Sequence, residues 1–340
     1  MAKGDRLPPL ITASPPGTPR DQAGVLGAPG TTVLFGDDRV NDEMRLGYRI
    51  RAGLWLDCDQ TCGIEGDIFF LDPTGDGASF SSTGSPILGR PFLNANGAPD
   101  AQLVAFPGVI AGTVTASNDS TAWGATVNAR HRLCCGCNYR VDALLGYRFL
   151  GLSDTLTVGE NLVATDPEGD IEAGTRFQIQ DRFRTTNAFH GGQLGLKGEH
   201  WRGRAFLGWN VSVALGNVHQ SIDIGGSTRI ANPGQTLAVL PGGLLALQSN
   251  SGQFDRDDFA VLPAAGVSAG VRLTERLHVF AGYDFMYLSH VTRPGDVIDL
   301  TVNPALLPPP VGGGPARPAV LGGSSDYWLH GVSAGVEWRF

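Results

Sequence analysis

The chain has 340 residues, 48 of them glycine and 22 proline, with 25 basic side chains, 33 acidic ones and a net charge of −8. Gly and Pro together make about a fifth of it, against a usual ~12%, and charged residues are only 17%. The acidic balance excludes a nucleic-acid footprint, and no apolar run approaches the ~18 residues of a helical membrane span.

Met1-Ala-Lys-Gly-Asp leads straight into proline-rich sequence, without the apolar stretch of a secretory leader. The first ordered signal follows at 44–56 and has period two. Met44, Leu46, Tyr48, Ile50, Ala52, Leu54 and Leu56 share one face; Arg45, Gly47, Arg49, Arg51, Gly53 and Trp55 share the other. The pattern recurs at Cys62–Phe70 and Tyr139–Phe149, and then at Ala205–Leu215, Phe259–Leu273, Leu277–Tyr287 and Trp328–Phe340. It is weaker over 110–133 and 186–200. This predicts nine strands and no helix.

The intervening segments alternate in length. Short ones lie near 57–61, 134–138, 201–203 and 274–276. Long Gly/Pro/Ser-rich ones lie at 5–43, 73–109, 155–184, 219–256 and 294–325. Four loops of about 30 residues argue against a compact soluble domain, whereas short turns at one end and long loops at the other suit an outer-membrane barrel. The apolar faces carry no Asp, Glu, Lys or Arg, and the opposite faces are rich in glycine, as a narrow barrel interior requires. The expectation is one all-β domain over 1–340, an antiparallel transmembrane meander with five long extracellular loops.

Several runs together resemble a known family. They include Leu7-Pro-Pro-Leu-Ile-Thr-Ala-Ser-Pro-Pro-Gly-Thr-Pro, Gly53-Leu-Trp-Leu-Asp-Cys, Gly63-Ile-Glu-Gly, Cys134-Cys-Gly-Cys-Asn-Tyr-Arg, Leu215-Gly-Asn-Val-His-Gln and Val291-Thr-Arg-Pro-Gly-Asp. The chain is similar along nearly its whole length to the beta-barrel porin family numbered seven. The resemblance implies an outer-membrane barrel and carries over no catalytic residue. It also implies a leader and an aromatic strand ahead of residue 1, so the nine strands are expected to be nine of ten. An open seam, or a strained nine-strand closure, follows from that expectation.

Inward parity selects a lumen charge lattice of Arg45, Arg49, Arg51, Glu65, Asp67, Arg130, Arg140, Asp142, Arg148, Lys197, Glu199, Arg204, Asp284 and Glu337. Eight basic and six acidic groups in a narrow bore predict ion pairing. The reading left open is a plugged interior or a narrow path with anionic preference along Arg45, Arg49 and Arg51. Val336, Trp338 and Phe340 form the terminal outward face that resembles the signal read by the barrel assembly machinery. Cys58, Cys62, Cys134, Cys135 and Cys137 fall at two short turns. An oxidising periplasm favours disulfides there over free thiols or a metal knuckle. Asp166, Glu168, Asp170 and Glu172 read as a solvated acidic loop, lacking the calcium-loop spacing. His190, His219 and His290 fall near the outer rim without a catalytic pattern.

The expected function is therefore an outer-membrane porin or narrow channel for small solutes, anions among them. The alternative is a structural or display barrel with a filled lumen, and an enzyme comes a distant third. No cofactor is expected. The expected partners are the bilayer, the assembly machinery and a binder of the loops whose nature the sequence does not give.

Overall fold

The computed structural model describes all of residues 1–340. Alternating residues make strands wherever the run is uninterrupted, and the strands far outnumber the nine expected. The N-terminal region holds β1 (Asp5–Arg6), β2 (Ile11–Ser14), β3 (Thr32–Phe35) and β4 (Arg39–Val40). Then come β5 (Gly47–Trp55), β6 (Cys62–Leu71), β7 (Thr74–Ser82), β8 (Ile87–Asn94) and β9 (Pro99–Ala105). Four very long strands follow in the middle of the chain: β10 (Ile110–Cys135), β11 (Tyr139–Ala164), β12 (Arg176–Arg202) and β13 (Ala205–Ala231). The chain closes with β14 (Ala238–Pro241), β15 (Gly252–Arg272), β16 (Leu277–Val291), β17 (Thr301–Val302) and β18 (Ser325–Trp338). Contrary to the helix-free expectation, a one-turn helix α1 (Pro294–Val297) and a 3₁₀ turn (Pro304–Leu306) lie between β16 and β18.

One antiparallel sheet of eleven strands dominates, running β18-β16-β15-β13-β12-β11-β10-β6-β5, with β7 on β10 and β14 on β13. Chain neighbours pair because the short connections leave no room for anything else. Gly203 (φ 61) turns Arg202 back into Ala205. At the 57–61 turn the Asp57 carboxylate accepts the Thr61 and Cys62 backbone N–H groups at 2.9 Å each. With the Thr61 hydroxyl also donating, those hydrogen bonds pull Asp57 down to about 2. Strands β6 and β7 share one edge of β10, broken at Pro73, which has no N–H to give the ladder.

The sheet is not closed by hydrogen bonds between β5 and β18. It does curl far enough for the Arg49 guanidinium of β5 to reach Asp284 of β16 at 3.0 Å. Met1–Lys3 run antiparallel along the free edge of β18, with Lys3 N–H donating to the Trp328 carbonyl at 2.8 Å and His330 N–H to the Met1 carbonyl at 2.9 Å.

The five long loops of the sequence reading need correction. Most of 155–184 and 219–256 is strand, since β10–β13 each run 26 or 27 residues. Segments 5–43, 73–109 and 294–325 supply β2, β3, β8, β9 and β17, which form a second, five-stranded sheet ordered β17-β8-β2-β3 with β9 on β8. That sheet sits in the mouth of the curled one. Its Ile11, Leu88 and Phe92 join Leu156, Val158, Phe183 and Ile222 in one buried core of 24 residues.

Candidate functional site: the layered bore

The outward face of the large sheet fixes where lipid can sit. Outward residues stay apolar from Leu56 to Tyr48 on β5, from Leu133 to Trp123 on β10 and from Tyr139 to Phe149 on β11, with one histidine, His131, beside the turn. Each span is nine to eleven residues, the length a tilted strand needs to cross a bilayer. An aromatic row marks one edge, with ring centroids 5.2 Å apart for Tyr48–Phe70, 6.0 Å for Phe70–Trp123, 4.5 Å for Trp123–Phe149 and 5.0 Å for Phe149–His190. Such a girdle places amphipathic rings at a headgroup level. Beyond it the outward residues turn polar: Ser153, Thr155 and Thr157 on β11, Thr186, Arg184 and Arg182 on β12.

Inside the band, toward the short turns, lies the charge lattice. Arg49 and Arg51 share Asp67, at 3.4 and 3.5 Å. Glu65 takes Lys197 at 2.7 Å and Arg130 at 3.7 Å. Asp142 takes Arg140 at 2.8 Å and Arg130 Nε at 2.7 Å, while both guanidinium groups stack on the inward Trp55 ring. Glu199 and Glu337 are bridged by Arg339, each at 3.0 Å.

Three lattice expectations change and one residue is added. Arg204 is an exposed turn residue beside Gly203, outside the lattice. Arg45 pairs with no carboxylate and donates instead to the Asn41 carbonyl at 3.3 Å. Arg148 has no acidic partner either and donates to Gln193 Oε1 at 3.2 Å and Ser212 at 3.5 Å. Arg339 is the added residue: it lies one position past β18, on the inward parity of Glu337, within the terminal run expected to reach Phe340.

Above the lattice the bore changes character twice. At girdle height the inward residues are apolar, and Phe69, Leu150, Leu152, Phe189, Leu262 and Met286 belong to a second buried cluster of 15 residues. Farther out the bore is filled by the five-stranded sheet. There Arg90 of β8 reaches Glu160 of β11 and Asp181 of β12, at 2.7 Å each, with all three side chains at most 1% exposed. Burial alone would pull Arg90 down, but Asp181 and Glu160 hold it above its ordinary value. Asp181 also accepts the backbone N–H groups of Leu244, Leu245 and Ala246, pinning that loop to the core. Between the two apolar layers Arg293 pairs with Asp154 at 2.9 Å. Burial pushes the nearby Asp5 carboxyl up to about 6, against the opposing pull of Arg293.

The remaining sequence candidates fall outside the bore. All five cysteines are exposed free thiols, which corrects the disulfide expectation. The register explains it: Cys62 faces His131 (Sγ to Nδ1, 3.4 Å), Cys134 faces Val141 and Cys135 faces Arg140. Val336, Trp338 and Phe340 all point outward and are exposed. His190 belongs to the aromatic row, and His219 contacts Asp257 at 3.1 Å on the outward face. His290 is exposed at the end of β16, and Asp166, Glu168, Asp170 and Glu172 lie in the hairpin between β11 and β12.

The family described as Putative beta barrel porin-7 matches residues 1–340, and the chain belongs to it. No curated protein matches the chain. Among solved structures it is similar to the outer membrane protease OmpT from Escherichia coli, at 13% identity and a TM-score of 0.37, covering 86% of this chain and 93% of that one. That likeness is too loose to carry an argument about this protein.

Proposed function

We propose that this member of the beta-barrel porin-7 family is an outer-membrane barrel that is closed at rest. A water-accessible, charged vestibule enters from the short-turn side and is stopped toward the loops. The observation that carries this reading is the gradient of exposure along one bore. Arg49, Asp67, Lys197 and Asp284 keep between 22 and 31% of their side-chain surface. Phe189, Leu262, Val158 and Phe183 keep none. A packed apolar layer of that kind passes neither water nor ions, since hydrophobic constrictions close pores by expelling water. When open, the path would run past Arg49 and Arg51 and favour small anions. This is a transport reading and assigns the barrel no reaction.

The even-numbered barrel belongs to the same proposal. Strands β5 and β18 run parallel to each other, so one strand antiparallel to both would close the seam, in the sense that Met1–Lys3 already follow along β18. The display reading is favoured by a different observation, the loop-side sheet with its own large core. Single-channel recording in planar bilayers separates the two. A silent baseline with discrete openings under applied voltage supports the closed channel. Silence at every voltage favours display, and a steady open-porin current removes the closed-bore reading.

A further inference from the structure

Where β16 leaves the sheet, the chain does not run on to a tip. It turns into the bore. The ladder to β18 slips between Leu288 and Val291, and His290 sits at φ 56, a left-handed conformation that few non-glycine residues adopt. Val291, Thr292, Arg293 and Pro294 that follow are all buried, and α1 begins at once.

This short run touches the inward faces of successive barrel strands. On β12, Asn187 grips Thr292 from both sides: its Nδ2 donates to the Thr292 carbonyl and its Oδ1 accepts the Thr292 N–H, each at 2.8 Å. On β13, Gln220 Oε1 accepts the Thr292 hydroxyl at 2.7 Å, while its Nε2 donates to the His290 carbonyl at 2.5 Å. On β11, Asp154 holds Arg293 through both Nε and Nη2, at 3.0 and 2.9 Å. On β15, Arg256 donates to the Thr292 hydroxyl at 2.9 Å. The Gly295 N–H donates to Asp5 at 3.2 Å. A Cβ at Gly295 would collide with the Arg6 carbonyl oxygen.

Two properties set this segment apart from the cores on either side. It is seated by directional polar bonds, which are lost together once it moves, whereas an apolar layer loses contact gradually. It also hangs from a bulge and a left-handed residue, the sort of position that absorbs a backbone change. Resting on the closed-bore reading above, we propose that Val291–Asp296 is the gate of this barrel. Val291 lies in the girdle-height cluster and Val297, one residue past the other end, lies in the loop-side core. The segment is thus a crossbar that ties both apolar layers, and its release from β11, β12 and β13 loosens them together so that a solute can pass from the vestibule to the loop side.

The test is ionic current through the full chain in planar bilayers bathed in potassium chloride, for the parent and two variants. Asn187→Ala with Gln220→Ala removes the grips on Thr292, and Gly295→Ala wedges the crossbar off Arg6 without touching those grips. Both are expected to raise the time-averaged current at least tenfold over the parent. A third chain, Asn187→Cys with Thr292→Cys in a background whose five native cysteines are serine, gives a reversible form. It is expected to be silent when oxidised and to conduct once dithiothreitol cuts the bridge. Parent-like silence from both unlatched variants, with heat-modifiable gel migration showing them folded, would overturn the gate, as would equal current from the bridged and reduced forms. A parent that conducts steadily would instead overturn the closed-bore reading, so the two failures are distinguishable.

Discussion

The two halves of this bore solve the same problem in opposite ways. Within the lipid band the outward side is apolar and the inward side is charged and wet. Beyond the aromatic row the outward side is polar and the inward side is apolar and dry. The strands themselves run through the transition without a break: β11 is one strand from Tyr139 to Ala164, and the inward positions along it from Asp142 read Asp142, Leu144, Gly146, Arg148, Leu150, Leu152, Asp154, Leu156 and Val158. What changes is the solvent on the far side. Lipid demands apolar atoms outside and leaves charges nowhere to go but inward, whereas water outside lets the inward face become a core. The consequence is energetic. A charge in the dry half depends wholly on its partner, while a charge in the wet half can fall back on water or on a neighbour.

The largest expected effect follows from that dependence. Arg90→Ala leaves Glu160 and Asp181 buried without a cation and should cost about 3–5 kcal/mol. Chemical denaturation of the loop-side core, followed by protease nicking within residues 73–109, measures it. A cost below about 1 kcal/mol would mean that half is wetter than its packing shows.

Next come paired arginine substitutions on the outward face of β11. Leu145→Arg, in mid-band, should cost about 2–4 kcal/mol in refolding into vesicles, and Thr155→Arg, beyond the aromatic row, close to nothing. Equal costs would move the lipid boundary.

A third prediction uses pH. Asp5 is raised from 3.8 to about 6 by burial, so its ionisation opposes the folded state. Its contribution is fully present below about pH 4 and is lost as pH rises through about 6. That difference is worth about 3 kcal/mol at most, at ~1.4 kcal/mol per pH unit. Protection factors around residues 3–6, after division by the intrinsic exchange rate at each pH, should therefore be lower at pH 8 than at pH 5, and Asp5→Asn should abolish that difference.

The smallest effect is expected in the wet half. Lys197→Met removes one partner of Glu65 but leaves Arg130, and both groups keep some access to water, so the loss should be about 1 kcal/mol or less. A loss as large as that of Arg90→Ala would erase the contrast between the halves.

Sequence alone determined the membrane half. The period-two runs from Met44 to Phe340, the absence of charge on their apolar faces and the arginines on the opposite parity placed the strands, the lipid face and most of the lattice. Each of those properties depends only on alternation along one strand. It did not determine the loop-side half, for a definite reason. Past Phe149 and Ala188 the alternation continues with its sense reversed, polar outward and apolar inward, and beside many Gly and Pro residues that reversal reads as a loop. Only the tertiary structure decided that 5–43 and 73–109 return to fill the mouth of the bore, and that Arg90 finds two acids 70 and 91 residues away. The crossbar at Thr292 is settled the same way, since its partners lie on separate strands and no local pattern specifies a contact closed by the curling of a whole sheet.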